Sequence, residues 1–228
     1  MTRLRLVTWN MHGGVGIDGR FAPDRIARVI AELDADVIAL QEFGSRRAAF
    51  DMRAHLETAS AARAIVMPTF QKYGCDFGNI VLTRWPVSDV ACHALGVDHR
   101  EPRNAVDLVV DYGSGKLRVV ASHLGLRVAE RRAQIARLRA LLDATSAQPT
   151  ILLGDFNEWR PRGGLREFDQ HFGLSSAPAT FPSPYPIAAL DRIWVAPARA
   201  CVELRVHKSR TARIASDHLP LVATLELP

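Results

Sequence analysis

TILLGDFNEW, residues 150–159, decides the reading of the chain. A short apolar run, Ile151 to Leu153, stops at Gly154, and Asp155 and Asn157 follow two residues apart. Such a run bounded by turn residues reads as a buried strand. Side chains alternate along a strand, so Phe156 between them points the other way and packs. The stretch thus aims a carboxylate and a carboxamide off the end of a buried strand.

The same arrangement recurs along the chain. Asn10 follows LRLVTW, Glu42 follows VIALQ and His123 follows LRVVAS. Asp191 follows AAL, while Asp217 and His218 precede LPLVATL. Strands lying side by side would bring these polar ends to one rim. Carboxylates and carboxamides gathered there repel one another unless a cation sits among them. Oxygen ligands without cysteine favour a hard cation, Mg²⁺ or Mn²⁺. Each residue taken singly has a plain explanation, as a turn residue, a cap or a satisfied core histidine. Only the set argues for chemistry.

Between these ends the pattern mixes helices with hairpins. Residues 23–34 place Ile26, Val29, Ile30 and Leu33 on one helical face, with Pro23 in the first turn. Residues 45–63 read as helical, and 129–143 as a helix carrying Ile135, Leu138 and Leu142 inward. A short helix is expected near 164–171. GNIVLTRWPV (78–87) reads as a strand closed by a proline turn, and residues 105–124 as a hairpin about Gly-Ser-Gly. LDRIWV, CVELRVH and DHLPLVATLEL complete the strands. Strand–helix–strand units together with hairpins exclude a purely parallel sheet. The fold class is α+β, two mixed sheets packed face to face with helices outside, and with no linker-like segment residues 1–228 read as one domain.

Composition sets broad bounds. The net charge of +5 favours phosphate-bearing partners. Aromatic residues make up 7%, too few for a surface built to stack bases. No apolar run approaches the roughly 18 residues that would span a bilayer. MTRLRLVTWN alternates as a strand and lacks the apolar core of a signal peptide. Cys75, Cys92 and Cys201 fit neither a disulfide framework nor a metal knuckle. They read as inert core thiols of a cytoplasmic protein.

The stretches TWN, ALQE, GNIVLTRWPV, SHL, GDFN, LDRIWV and SDHLPL, in that order from Asn10 to His218, resemble the endonuclease/exonuclease/phosphatase superfamily. That superfamily of metal-dependent phosphoesterases includes DNase I-like enzymes, apurinic endonucleases, neutral sphingomyelinases and inositol-polyphosphate 5-phosphatases. NMHGG and TFPSPYPIAALDRI are similar to segments of a compact bacterial group within it. The resemblance implies a four-layer α/β/β/α sandwich with the active site at one rim. It implies a Mg²⁺-dependent (or Mn²⁺-dependent) phosphoesterase, expected as a monomer, acting on nucleic acid or on a small or lipid-derived phosphoester. Some superfamily nucleases have Asp where this chain has His12, so the resemblance supplies no metal contact at that position.

The resemblance also distributes roles. Glu42 is the expected metal carboxylate, with Asn10 and Asp217 alongside. Asp155 either orients or deprotonates the attacking water or ligates a second ion, and Asn157 orients phosphate and water. Asp191 and His218 form an orienting pair, and His123 meets the phosphate from the opposite side. Asn79 either supports the phosphate or is a turn residue. Arg103 either clamps an anionic oxygen or is solvated. Arg131, Arg132, Arg137 and Arg139 read as the solvated face of one helix. The proline-rich loop at 177–187, with Phe181 and Tyr185, either borders the site or simply connects elements. The competing classes are a non-catalytic binding module, which should have lost Glu42, Asp155 or His218, and a nucleic-acid-binding protein, which needs a concentrated basic and aromatic surface.

Overall fold

The structure is a computed structural model that describes residues 1–44, 50–72, 74–113, 115–143, 148–160, 163–172 and 177–228. The first half runs β1 (Thr2–Asn10), α1 (Pro23–Leu33), β2 (Val37–Phe43), α2 (Met52–Ser60), β3 (Arg63–Lys72), β4 (Cys75–Thr83) and β5 (Val87–Ala94). The second runs β6 (Asn104–Tyr112), β7 (Gly115–His123), α3 (Val128–Asp143), β8 (Thr150–Asp155), α4 (Arg166–Phe172), β9 (Asp191–Ala196), β10 (Cys201–Val206), α5 (Ala212–Ala215) and β11 (Leu221–Leu227).

Two sheets result, ordered β10-β11-β1-β2-β4-β3 and β5-β6-β7-β8-β9. Each contains one parallel pair, β1 with β2 and β7 with β8. A parallel pair needs a long crossover, and α1 and α3 supply them. The carboxyl ends of a parallel pair face the same way. Asn10 and Glu42 therefore end up together on one sheet, and His123 and Asp155 on the other.

Three apolar layers hold four structural layers together. Alternate residues of both sheets, among them Leu4, Leu6, Val106, Val119 and Ile151, form the central layer. Ile26, Val29, Ile30 and Leu33 of α1, with Met52 and Leu56 of α2, cover the outer face of the first sheet. Ile135, Leu138 and Leu142 of α3, with Phe168 and Phe172 of α4, cover the second. This is the α/β/β/α sandwich of the DNase I-like fold. Phe156 packs as alternation requires, wholly buried with its ring edge-on to Trp194 at 4.8 Å.

Several local readings need correction. The helix expected over 45–63 is α2 at Met52–Ser60, and Arg63 already belongs to β3; residues 45–49 lie outside the described residues. β3 and β5 have no counterpart in the sequence reading. β3 carries Pro68, which is tolerated because the strand lies at a sheet edge and is bulged there. β5 is also an edge strand, and its alternate residues face solvent. Cys92 on β5 is exposed rather than a core thiol.

Candidate active site

Strand register builds the first half of the site. His123 of β7 pairs with Asp155 of β8, and Asp155 pairs with Asp191 of β9. One imidazole and two carboxylates thus stand side by side at strand spacing, all buried. His218, from the segment before β11, reaches between the carboxylates. Its Nδ1 is 2.9 Å from Asp191 Oδ2 and its Nε2 is 3.7 Å from Asp155 Oδ2. Burial opposes the charged ring, but Asp191 and Asp155 outweigh it and push the His218 pKa up to about 10. Burial raises the Asp155 carboxyl to about 6, with His218 pulling the other way. The ligand atoms of Asp155, Asp191 and His218 lie within 4.8 Å of one another. The imidazolium itself supplies the positive charge that this trio needs.

The second half comes from the other sheet. Glu42 adopts φ 54 at a register shift between β2 and β4, a bulge that turns its side chain to the rim. Asn10 Nδ2 donates to Glu42 Oε1 and to Asp155 Oδ2, both at 3.1 Å, and so links the two sheets. Its Oδ1 accepts from the His12 amide at 3.0 Å and keeps a lone pair. Asp217 is half-exposed, with Oδ1 3.8 Å from His12 Nδ1. Glu42 and Asp155 thus meet at one amide, and Asp217 lines the same cavity.

On the far side, Arg103 Nη1 donates to His123 Nδ1 at 3.1 Å. In the neutral ring Nε2 therefore carries the proton, with Asn157 Nδ2 at 3.1 Å and Asp155 Oδ2 at 3.6 Å from it. Burial, Arg103 and His218 together hold its pKa well below the usual range, so this ring is neutral. Asn157 sits at φ 50, with its amide donating to Asp155 Oδ1 at 2.9 Å and its side chain to Leu124 O at 2.9 Å. Arg103, paired with Glu101 at 2.9 Å, is partly buried against the site rather than solvated. Asn79 stands elsewhere: it donates to Asn104 Oδ1 at 2.8 Å, bridging the sheets, and is not part of the cavity wall.

These groups surround one cavity of about 400 Å³, which also meets Phe181 and Trp159. Phe181 borders the site, whereas Tyr185 of the same loop is exposed and outside the cavity wall. Supporting residues escaped the sequence reading. Ser216 Oγ donates to Asn10 O at 2.7 Å, Trp9 Nε1 to His218 O at 2.9 Å, and Thr180 Oγ1 to Asp191 Oδ2 at 2.5 Å. Ser216 and Thr180 lie inside SDH and TFP, where their hydroxyls were the available signal.

A model of the Endonuclease/Exonuclease/phosphatase family matches residues 7–218. The chain belongs to that family. The family is one of nucleases and phosphatases, and its members in general depend on a divalent metal. The chain is 29% identical over 246 residues to YbhP of Escherichia coli K12, covering 98% of this chain and 96% of that one. It is also similar to the endonuclease/exonuclease/phosphatase structure from Beutenbergia cavernae, with TM-score 0.78, 24% identity and coverage of 100% and 72% of the two chains. For the mannosyl-6-phosphatase Bt3783 of Bacteroides thetaiotaomicron the TM-score is 0.75 at 15% identity, covering 98% and 100%. At these identities the two structures attest the family's fold. Among the described residues, no helix is long and apolar enough to cross a membrane.

Proposed function

We propose that residues 1–228 act as one domain that hydrolyses a phosphoester with the help of Mg²⁺ or Mn²⁺. The observation that carries the reading is the setting of Asp155. Its Oδ2 lies 3.6 Å from His123 Nε2 and 3.7 Å from His218 Nε2, on a carboxylate that also accepts from Asn10. One imidazole is held neutral and the other protonated, which separates their tasks.

Bound metal would neutralise phosphoryl oxygens and lower the pKa of water, with Asn10, Glu42 and Asp217 as its ligands. Asp155, with a pKa raised to about 6, suits a group that accepts a proton from water near neutral pH. Asn157 and Arg103 offer N–H groups to non-bridging oxygens, and neutral His123 orients the phosphoryl group between them. His218, protonated and steadied by Asp191, stabilises developing negative charge on a phosphoryl or leaving oxygen. A binding module without chemistry would have no use for a buried carboxylate shared by two histidines. Phosphodiesters and phosphomonoesters are both admissible, and the Bacteroides neighbour is named a mannosyl-6-phosphatase.

The test is a substrate panel with purified protein: bis-p-nitrophenyl phosphate, plain and abasic DNA, RNA, phospholipids, inositol phosphates and mannose 6-phosphate. Turnover of at least one member is expected with Mg²⁺ or Mn²⁺, abolished by EDTA and restored by metal. Full activity in chelator, with metal absent by elemental analysis, contradicts the metal dependence. Inertness toward the whole panel contradicts the reaction.

A further inference from the structure

The cavity has a second wall that the reaction does not use. Leu126, Trp159 and Phe181 line it, and Leu126 and Trp159 are 72% and 56% exposed. Single exposed apolar residues are ordinary, but these converge on the mouth of a cavity whose floor is charged. The Trp159 and Phe181 rings meet edge to face at 5.4 Å, and Phe181 lies 4.9 Å from the His218 ring. An aromatic path therefore runs from solvent to the protonated imidazole.

Two of the three segments that carry this wall, those of Leu126 and Trp159, are tied to α3. Arg131 of α3, expected to be solvated, is buried instead. Its Nη1 donates to Leu126 O at 2.7 Å and Gly125 O at 3.3 Å, and its Nη2 meets Glu158 Oε1 at 3.5 Å. Gln134 Oε1 accepts from the Gly125 amide at 2.8 Å, and Glu158 Oε1 accepts from the Arg160 amide at 3.1 Å. A buried ion pair is costly to assemble and gives little net stability. Here it joins the residue before Trp159 to the backbone that presents Leu126. Leu126 and Trp159 are thereby held beside the charged floor.

Resting on the phosphoesterase reading, we propose that Leu126, Trp159 and Phe181 form a subsite for an aromatic group attached close to the phosphorus. The favoured substrates would then be phosphoesters bearing a ring next to the phosphoryl group. Aromatic walls reward a ring through area and edge-to-face geometry, and a methyl group gains little from either.

Calorimetric titration of the Mg²⁺-containing protein with benzylphosphonate and with methylphosphonate tests this without turnover. Benzylphosphonate should bind about tenfold or more tightly than methylphosphonate. Trp159→Ala should bring that ratio close to one, and Trp159→Phe should restore much of it. Ile17→Ala, which removes an exposed apolar residue outside the cavity wall, should leave the ratio unchanged. A wild-type ratio near one, or a ratio that Trp159→Ala does not move, overturns the subsite. Hydrolysis of bis-p-nitrophenyl phosphate in the same buffer separates the two readings. Turnover with a ratio near one removes the subsite alone, whereas neither turnover nor binding removes both.

Discussion

His218 Nδ1 lies 2.9 Å from Asp191 Oδ2, and both side chains are buried. Asp191 also accepts from Thr180, and its ligand atom lies within 4.8 Å of those of Asp155 and His218. Under the proposed mechanism this carboxylate acts by holding the ring and its charge.

This coupling predicts non-additive losses. Asp191→Asn alone should lower kcat/KM by on the order of 10- to 100-fold. It should also move the basic limb of the pH profile to lower pH, because the imidazolium loses a neighbouring negative charge. In the His218→Ala background the same change should add little. A double-mutant cycle at saturating Mg²⁺, with folding checked by circular dichroism, reads the result. Multiplicative losses would make Asp191 an independent ligand or structural residue.

The pair should also shape the stability of the metal-free protein. Burial opposes the His218 charge, but Asp191 and Asp155 prevail, placing the folded pKa at about 10 against 6.5 for the free side chain. Stability from such a raised pKa is complete below the unfolded value and disappears as pH rises through the folded one. Thermal midpoints in EDTA should fall between about pH 6.5 and 10. The fall should be shallower in His218→Ala. Equal slopes for the two proteins would contradict the protonated state of His218.

Gly154 tests how closely the strands beneath the site must approach. It sits at φ 151, and a Cβ there would stand 1.9 Å from Ser122 O. Gly154→Ala must separate β7 from β8 where His123 and Asp155 are aligned. A loss of about 3 kcal/mol in denaturant unfolding is expected, from overpacking and backbone strain together. An unchanged midpoint would mean that the strands part at no cost.

The sequence made some of this plain and hid the rest for physical reasons. A polar residue closing an apolar run marks a strand end, so Asn10, His123 and Asp155 could be found, and α1 could be read from its spacing. β3 and β5 are edge strands with a proline or a solvent-facing row, and neither gives a buried-strand signal. The bulge that aims Glu42 depends on its pairing with β4, which local sequence does not encode. Arg131 looks like its exposed helical neighbours until Glu158 and the Leu126 carbonyl are brought to it from other segments. Asn79 was expected to support the phosphate or to be a turn residue, whereas its partner Asn104 lies in the opposite sheet.

Asp155, between a neutral and a protonated histidine, is proposed to drive phosphoester hydrolysis. Asp155→Asn keeps the size of the side chain and removes its negative charge. The most direct measurement is kcat/KM of this variant against wild type on the best substrate of the panel, with Mg²⁺ present and circular dichroism confirming the fold. A loss of on the order of 10²-fold or more is predicted, from removal of a proton acceptor or charged ligand at the reacting centre. A folded variant with near wild-type kcat/KM would contradict the account.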